Sequence, residues 1–123
     1  MLVADDEQPV REVIRAMLLF RGYQVVEAGD GAEAIDRFRS TGGGINLVLL
    51  DIQMPRMNGW DAMDRLFELN PKIPVLLLSG GVSDPPGDGS AISRPAGILR
   101  KPFASAELLH AIREALDAAH RSG

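Results

Sequence analysis

Short runs of consecutive apolar residues alternate along the chain with segments whose apolar positions recur three and four residues apart. The runs are Leu2-Val3-Ala4, Val25-Val26, Leu47-Val48-Leu49-Leu50, Val75-Leu76-Leu77-Leu78 and Ile98-Leu99. They are too brief for helices and show no polar alternation, so they predict strands covered on both faces. Between them, Val10, Val13, Ile14, Met17 and Leu18 mark a helix that Pro9 opens and Gly22 ends. Ala34, Ile35 and Phe38 line a second helix, and Asp30 with Glu33 reads as its capping box. Trp60, Met63, Leu66 and Phe67 predict a third, stopped by Pro71 and Pro74, and Leu108, Leu109, Ile112, Leu116 and Ala119 a last one. Such alternation predicts an α/β fold, a parallel sheet doubly wound by helices. No repeat or linker divides the 123 residues, so one domain over 1–123 is expected.

Composition narrows the function by exclusion. Asp and Glu number 17 against 13 Lys and Arg, a formal charge of −4. That balance disfavours nucleic acid or an anionic membrane as a direct partner, since both need clustered cations. Cysteine is absent, which removes disulfides, thiolate metal sites and Cys nucleophiles and suits a reducing, cytoplasmic setting. No apolar run approaches the roughly 18 residues of a membrane span, and the opening Met-Leu-Val-Ala-Asp-Asp turns acidic too soon for a signal peptide. The first strand starts at Leu2, an abrupt beginning that favours a module cut from a larger regulator or kinase over a stand-alone protein.

The polar residues that change the picture all follow strands. Asp5 and Asp6 follow the first, Asp51 the third, Ser79 the fourth and Lys101 the fifth. In an open parallel sheet the ligand crevice lies beyond the carboxyl ends of the strands, so these side chains are expected at one edge. Three carboxylates gathered there repel one another unless a cation joins them. Oxygen donors without His or Cys suit a hard ion, Mg²⁺ or else Mn²⁺. Carboxylate nucleophile, metal, lysine and hydroxyl together make a cradle for a transferring phosphoryl group.

Taken singly, each residue has a plainer reading. Asp5-Asp6 could cap a helix, Asp51 and Ser79 could be turn residues, and Lys101 a solvated charge. Joint placement at the strand ends is what argues for chemistry. His110 and His120, ten residues apart on the last helix, share no face well enough to hold zinc. Gly42-Gly43-Gly44 lacks the Lys-Ser/Thr of a phosphate-binding loop and reads as a turn.

With Asp5-Asp6-Glu7, Asp51 followed by Met54-Pro55 and Gly59, then Ser79 and Lys101-Pro102-Phe103, the chain resembles a response-regulator receiver domain of two-component signalling, similar to the chemotaxis regulators. The resemblance runs through essentially the whole chain. It implies a five-stranded sheet of flavodoxin-like order 2-1-3-4-5. Asp51 would be the phosphoacceptor, taking a phosphoryl group from the phosphohistidine of a sensor histidine kinase or phosphotransfer protein. Asp6 would bind Mg²⁺ directly, Asp5 through water, and the Gln53 backbone carbonyl would join Asp51 as a further ligand. Lys101 would pair with the phosphoryl oxygens, and Ser79 would bond them and relay the change.

Two departures stand out. Ile98 occupies the position where the family often has a switching Tyr or Phe. The stretch from Gly80 to Gly97 holds five Gly with Pro85, Pro86 and Pro95, and its longest segment without either is Ser90–Arg94. Each interior Gly costs about 1 kcal/mol and each Pro about 3 kcal/mol in a helix, so the family's fourth helix is expected to be degenerate or missing. Two alternatives stay open: a Mg²⁺-dependent aspartyl-phosphate hydrolase and a pseudo-receiver that only binds partners. Phosphatases of the haloacid-dehalogenase type carry a second Asp two residues after the nucleophile, and Gln53 there cannot shuttle a proton. The intact acidic cluster and lysine argue against the pseudo-receiver.

Overall fold

A computed structural model describes residues 1–80 and 95–122. Its elements in chain order are β1 (Leu2–Ala4), α1 (Gln8–Phe20), β2 (Val26–Ala28), α2 (Gly31–Ser40), β3 (Val48–Asp51), α3 (Gly59–Leu69), β4 (Val75–Ser79), β5 (Gly97–Arg100) and α4 (Ser105–Ser122). The five strands form one sheet in the order β2-β1-β3-β4-β5, with every neighbouring pair parallel. The expected doubly wound sheet of order 2-1-3-4-5 is therefore present. The expected loss of a helix between Ser79 and Gly97 falls largely on residues 81–94, outside the described residues.

Strand pleating explains why the runs are apolar throughout. Leu2, Val48 and Val75 lie level across the central strands, as do Ala4, Leu50 and Leu77, and all six enter the layer beneath α2 and α3. Val3, Leu49 and Leu76 form the intervening row and face α1 and α4. Each side chain of β1, β3 and most of β4 thus meets a helical layer, leaving no solvent face for a polar residue. Truncating a fully buried member such as Leu49 to Ala is of the order that costs about 2–5 kcal/mol.

The helix boundaries follow local chemistry. Gly22, at φ 85°, closes α1: its N–H reaches the Leu19 carbonyl and that of Tyr23 the Leu18 carbonyl, the paired bonds of a Schellman stop. At α2 the Asp30 side chain accepts from the Glu33 N–H at 2.8 Å, and the Glu33 carboxylate accepts from the Gly29 N–H at 3.0 Å. The expected capping box thus forms, with its return bond one residue earlier than usual. α3 begins one residue before Trp60 because Asn58 caps it, accepting from the Asp61 N–H at 2.9 Å.

Asp30 also meets the Arg56 guanidinium at 3.4 Å, but Arg56 is 77% exposed. A cap is worth about 1 kcal/mol and an exposed pair roughly 0–1 kcal/mol. Asp30→Ala is therefore expected to lower unfolding free energy by about 1–2 kcal/mol, and Arg56→Ala by less than about 0.5 kcal/mol. Urea denaturation of both variants checks this order; equal losses would make the ion pair, not the cap, the stronger contribution.

Candidate phosphoacceptor site

The carboxyl ends of β1, β3 and β5 bring their polar residues together. Asp5, completely buried, follows β1, and Asp51, 3% exposed, ends β3. The Lys101 ammonium, just past β5, donates to Asp5 Oδ2 at 2.7 Å and to Asp51 Oδ2 at 3.2 Å. Both carboxylates are steadied by their own loops in the same way. Asp5 Oδ1 accepts from the Glu7 N–H at 2.9 Å and Asp51 Oδ1 from the Gln53 N–H at 3.3 Å, each a side chain capping the backbone two residues on. The Lys101–Pro102 peptide is cis.

Close approach of the next loop completes the floor. The Gly59 N–H donates to the Ile52 carbonyl at 2.8 Å. A Cβ on Gly59 would stand 2.6 Å from the Asp51 carbonyl oxygen and 2.8 Å from the Ile52 Cα. Only glycine lets α3 start so near the buried carboxylate.

The other residues expected here are placed as follows. Asp6 is exposed, and it joins Asp5, Glu7 and Asp51 in a group whose carboxylate oxygens lie within 4.8 Å of one another. That all-oxygen set has the chemistry of a hard-cation site. Gln53 is exposed and lines the groove above it. Ser79 ends β4, half-buried, level with Arg100, and its carbonyl accepts from the Lys101 N–H at 2.8 Å. Ile98 is 53% exposed on β5. His110 is exposed and meets Glu114 one turn on, at 2.9 Å. A groove of about 790 Å³ opens over the cluster, lined by Asp6, Glu7, Asp51, Gln53 and Lys101 together with Val10, Val13, Met17 and Phe103.

Two contributors lie outside the set expected from sequence. Glu7 belongs to the oxygen cluster and approaches Lys101 to 3.9 Å; its place directly after two aspartates was the available signal. Arg11 donates from Nη1 to the Asp5 carbonyl at 2.7 Å; the available signal was its spacing, three and seven residues before Ile14 and Leu18 on the buried face of α1.

Burial and then the neighbouring Asp5 charge push the Asp51 carboxyl up to about 7, against a partial offset from Lys101. Burial alone disfavours the Lys101 ammonium, but its hydrogen bond and attraction to Asp5, with Asp51 adding, hold its pKa above the ordinary value. Lysine thus stays cationic while Asp51 is poised to ionise. A second cation arriving among these oxygens would favour the ionised carboxylate, the form that can act as a nucleophile.

Fold and site together define a class, a doubly wound parallel sheet with buried acids and a lysine at its carboxyl edge. The chain matches the response regulator receiver domain family over residues 1–113 and belongs to that family. Response regulator MprA of Mycolicibacterium vanbaalenii is 37% identical over 122 residues, 94% of this chain and 49% of that protein. The autoinducer 1 sensor kinase/phosphatase LuxN of Vibrio campbellii is 37% identical over 79 residues, 64% of this chain and 9% of that protein. The chain thus spans about half the length of the first relative and a small fraction of the second. Among solved structures, a response regulator receiver protein from Sinorhizobium medicae superposes with a TM-score of 0.82 at 31% identity, covering 96% of this chain and 94% of that one. Among the described residues no helix is long and apolar enough to cross a membrane.

The raised Asp51 value has a consequence for stability. Between the ordinary 3.8 and about 7 the folded state binds more protons than the unfolded one, so this group's contribution falls as pH rises through that window. In metal-free protein Asp51→Asn is expected to be more stable than wild type near pH 8, with an advantage that shrinks toward about pH 4. Denaturant titrations in chelator check it, and an advantage independent of pH would contradict the assignment of the charge.

Proposed function

We propose that the chain acts as one receiver module whose phosphoacceptor is Asp51. The observation that carries this reading is the Lys101 ammonium bridging Asp5 and Asp51 inside the cluster of carboxylates. A carboxylate oxygen of Asp51 attacks the phosphorus of a phosphohistidine; the new P–O bond forms as the P–N bond breaks, and the imidazole leaves with the electron pair. No side-chain base is needed, because the nucleophile carries no proton once ionised. Lys101 shifts its bonds from Asp51 toward the phosphoryl oxygens, and the Ser79 hydroxyl bonds them in turn. The phosphodonor is a histidine kinase or phosphotransfer protein.

Asp6, Asp51 and the Gln53 carbonyl would hold Mg²⁺, with Asp5 supporting through water. The chemistry the bound ion supplies is neutralisation of the cluster and of the phosphoryl oxygens. This division of labour agrees with access: Asp6 and Asp51 line the groove, whereas Asp5 is completely buried. Gln53 near the reacting oxygen offers no proton to a leaving group, which favours a lasting acyl phosphate over turnover of external phosphoesters.

Intact-mass measurement after acetyl phosphate and Mg²⁺ is expected to show one added phosphoryl group, none in Asp51→Asn and none in excess chelator. An adduct that persists in Asp51→Asn, or that forms equally in chelator, rejects the reading.

Mg²⁺ titration followed by Trp60 fluorescence separates the two neighbouring aspartates. Asp6→Ala is expected to abolish binding more completely than Asp5→Ala, since a direct bond to a hard cation outweighs a water-mediated one. Equal or reversed losses would exchange the roles.

A further inference from the structure

The turn that carries Asp5 and Asp6 is held from a second side. Every polar group of Asp5 is engaged: its N–H with the Ala28 carbonyl at 3.1 Å, its carboxylate with Glu7 and Lys101, and its carbonyl with Arg11. Arg11 lies in the first turns of α1 and is 18% exposed. Its Nη1 reaches the carbonyl at 2.7 Å, while its buried Nε has only an ion pair with Glu27 of β2 at 3.5 Å. The carbonyl bond and the Glu27 pair together offset the cost of taking most of the guanidinium out of water. Packing alone would be met by Met or Leu.

What the bond holds is the Asp5–Asp6 peptide. The carbonyl oxygen of Asp5 and the Cα of Asp6 lie in one rigid plane, so fixing the oxygen fixes the direction in which Asp6 leaves the strand. We propose that Arg11 is a positioning residue for the cation site, its bond to the Asp5 carbonyl aiming the Asp6 carboxylate into the oxygen cluster. Arg11 acts through this peptide and not on the ion. The inference rests on the reading of the cluster as a Mg²⁺ site, and the test below separates the two.

The wild-type chain of 123 residues, Arg11→Met and Arg11→Lys are titrated with Mg²⁺ by Trp60 fluorescence. In metal-free protein, hydrogen exchange is followed at the Glu7 amide, which bonds Asp5 Oδ1. Arg11→Met is expected to weaken Mg²⁺ affinity about tenfold or more, the usual effect of losing a group that orients a ligand. Arg11→Lys recovers most of that loss, because an ammonium can still reach one carbonyl. The Glu7 amide exchanges faster in Arg11→Met, while the amides of Leu50 and Leu77 keep their protection. Wild-type Mg²⁺ affinity in Arg11→Met, whatever its thermal stability, overturns the proposal; so does Arg11→Lys as weak as Arg11→Met. If wild type itself shows no saturable response, the metal reading fails. The Glu7 amide then decides for Arg11 alone: lost protection supports the brace, and retained protection overturns it.

Discussion

The carboxyl edge of the sheet depends on one ammonium placed between two buried carboxylates. Asp5 and Asp51 are nearly inaccessible to water, and two such charges side by side would force one to take up a proton. Lys101 answers both, across 96 residues to Asp5 and 50 to Asp51. It ties the adjacent ends of β1 and β3 to that of β5, one strand removed across β4. An ion pair of this kind is weak evidence for stability, because desolvation offsets much of the attraction. Its value lies in poise: the lysine partly cancels what burial and Asp5 do to Asp51, leaving the acid near neutrality and able to respond to a further cation.

That poise requires the backbone beneath it to be rigid, and the sheet supplies the rigidity. The level rows across β1, β3 and β4 are all aliphatic and fully or nearly fully buried, so a strand slipping along its neighbour would draw the polar residue at its end into the apolar layers. Polarity begins only where the helical layers stop covering the strands. The same boundary explains why α3 must start on a glycine: Gly59 approaches the Asp51 carbonyl more closely than any Cβ allows. Core and site meet at that one residue.

Most of the fold was readable because period and burial agree. A strand covered on both faces has no polar position, so runs such as Val75–Leu78 announce themselves, and the polar residue that ends each run marks the edge. Boundaries were less legible. The second strand was expected at Val25-Val26, but the ladder runs Val26–Ala28; Val25 only packs against the α1 and α4 layer, and Glu27, polar by type, is taken into the sheet. The cap at Asn58 has a readable signal, a polar residue three before Asp61, whereas the apolar positions from Trp60 onward mark the helix and not its first residue. The fourth strand gave Ser79 correctly as its end, while any relay through Ser79 is a matter of motion that a sequence pattern does not carry.

Arg11 was legible in position but not in partner. Its spacing, three and seven residues before Ile14 and Leu18, puts it on the buried face of α1, but a helical pattern does not say which acceptor a guanidinium there will meet. What gives it a role is reach: side chains on a helix lean toward the N-terminus, and a guanidinium on the first turns of α1 arrives at the strand end that the helix has just left. The bond from Arg11 to Asp5 is local in sequence yet tertiary in effect, because Asp5 is itself pinned by β2 through Ala28 and by the far end of the chain through Lys101. The acidic turn is therefore a junction of three distant segments. Its two aspartates divide accordingly, Asp5 buried and bonded on several sides and Asp6 exposed at the groove, so adjacent identical residues take opposite surroundings at one peptide.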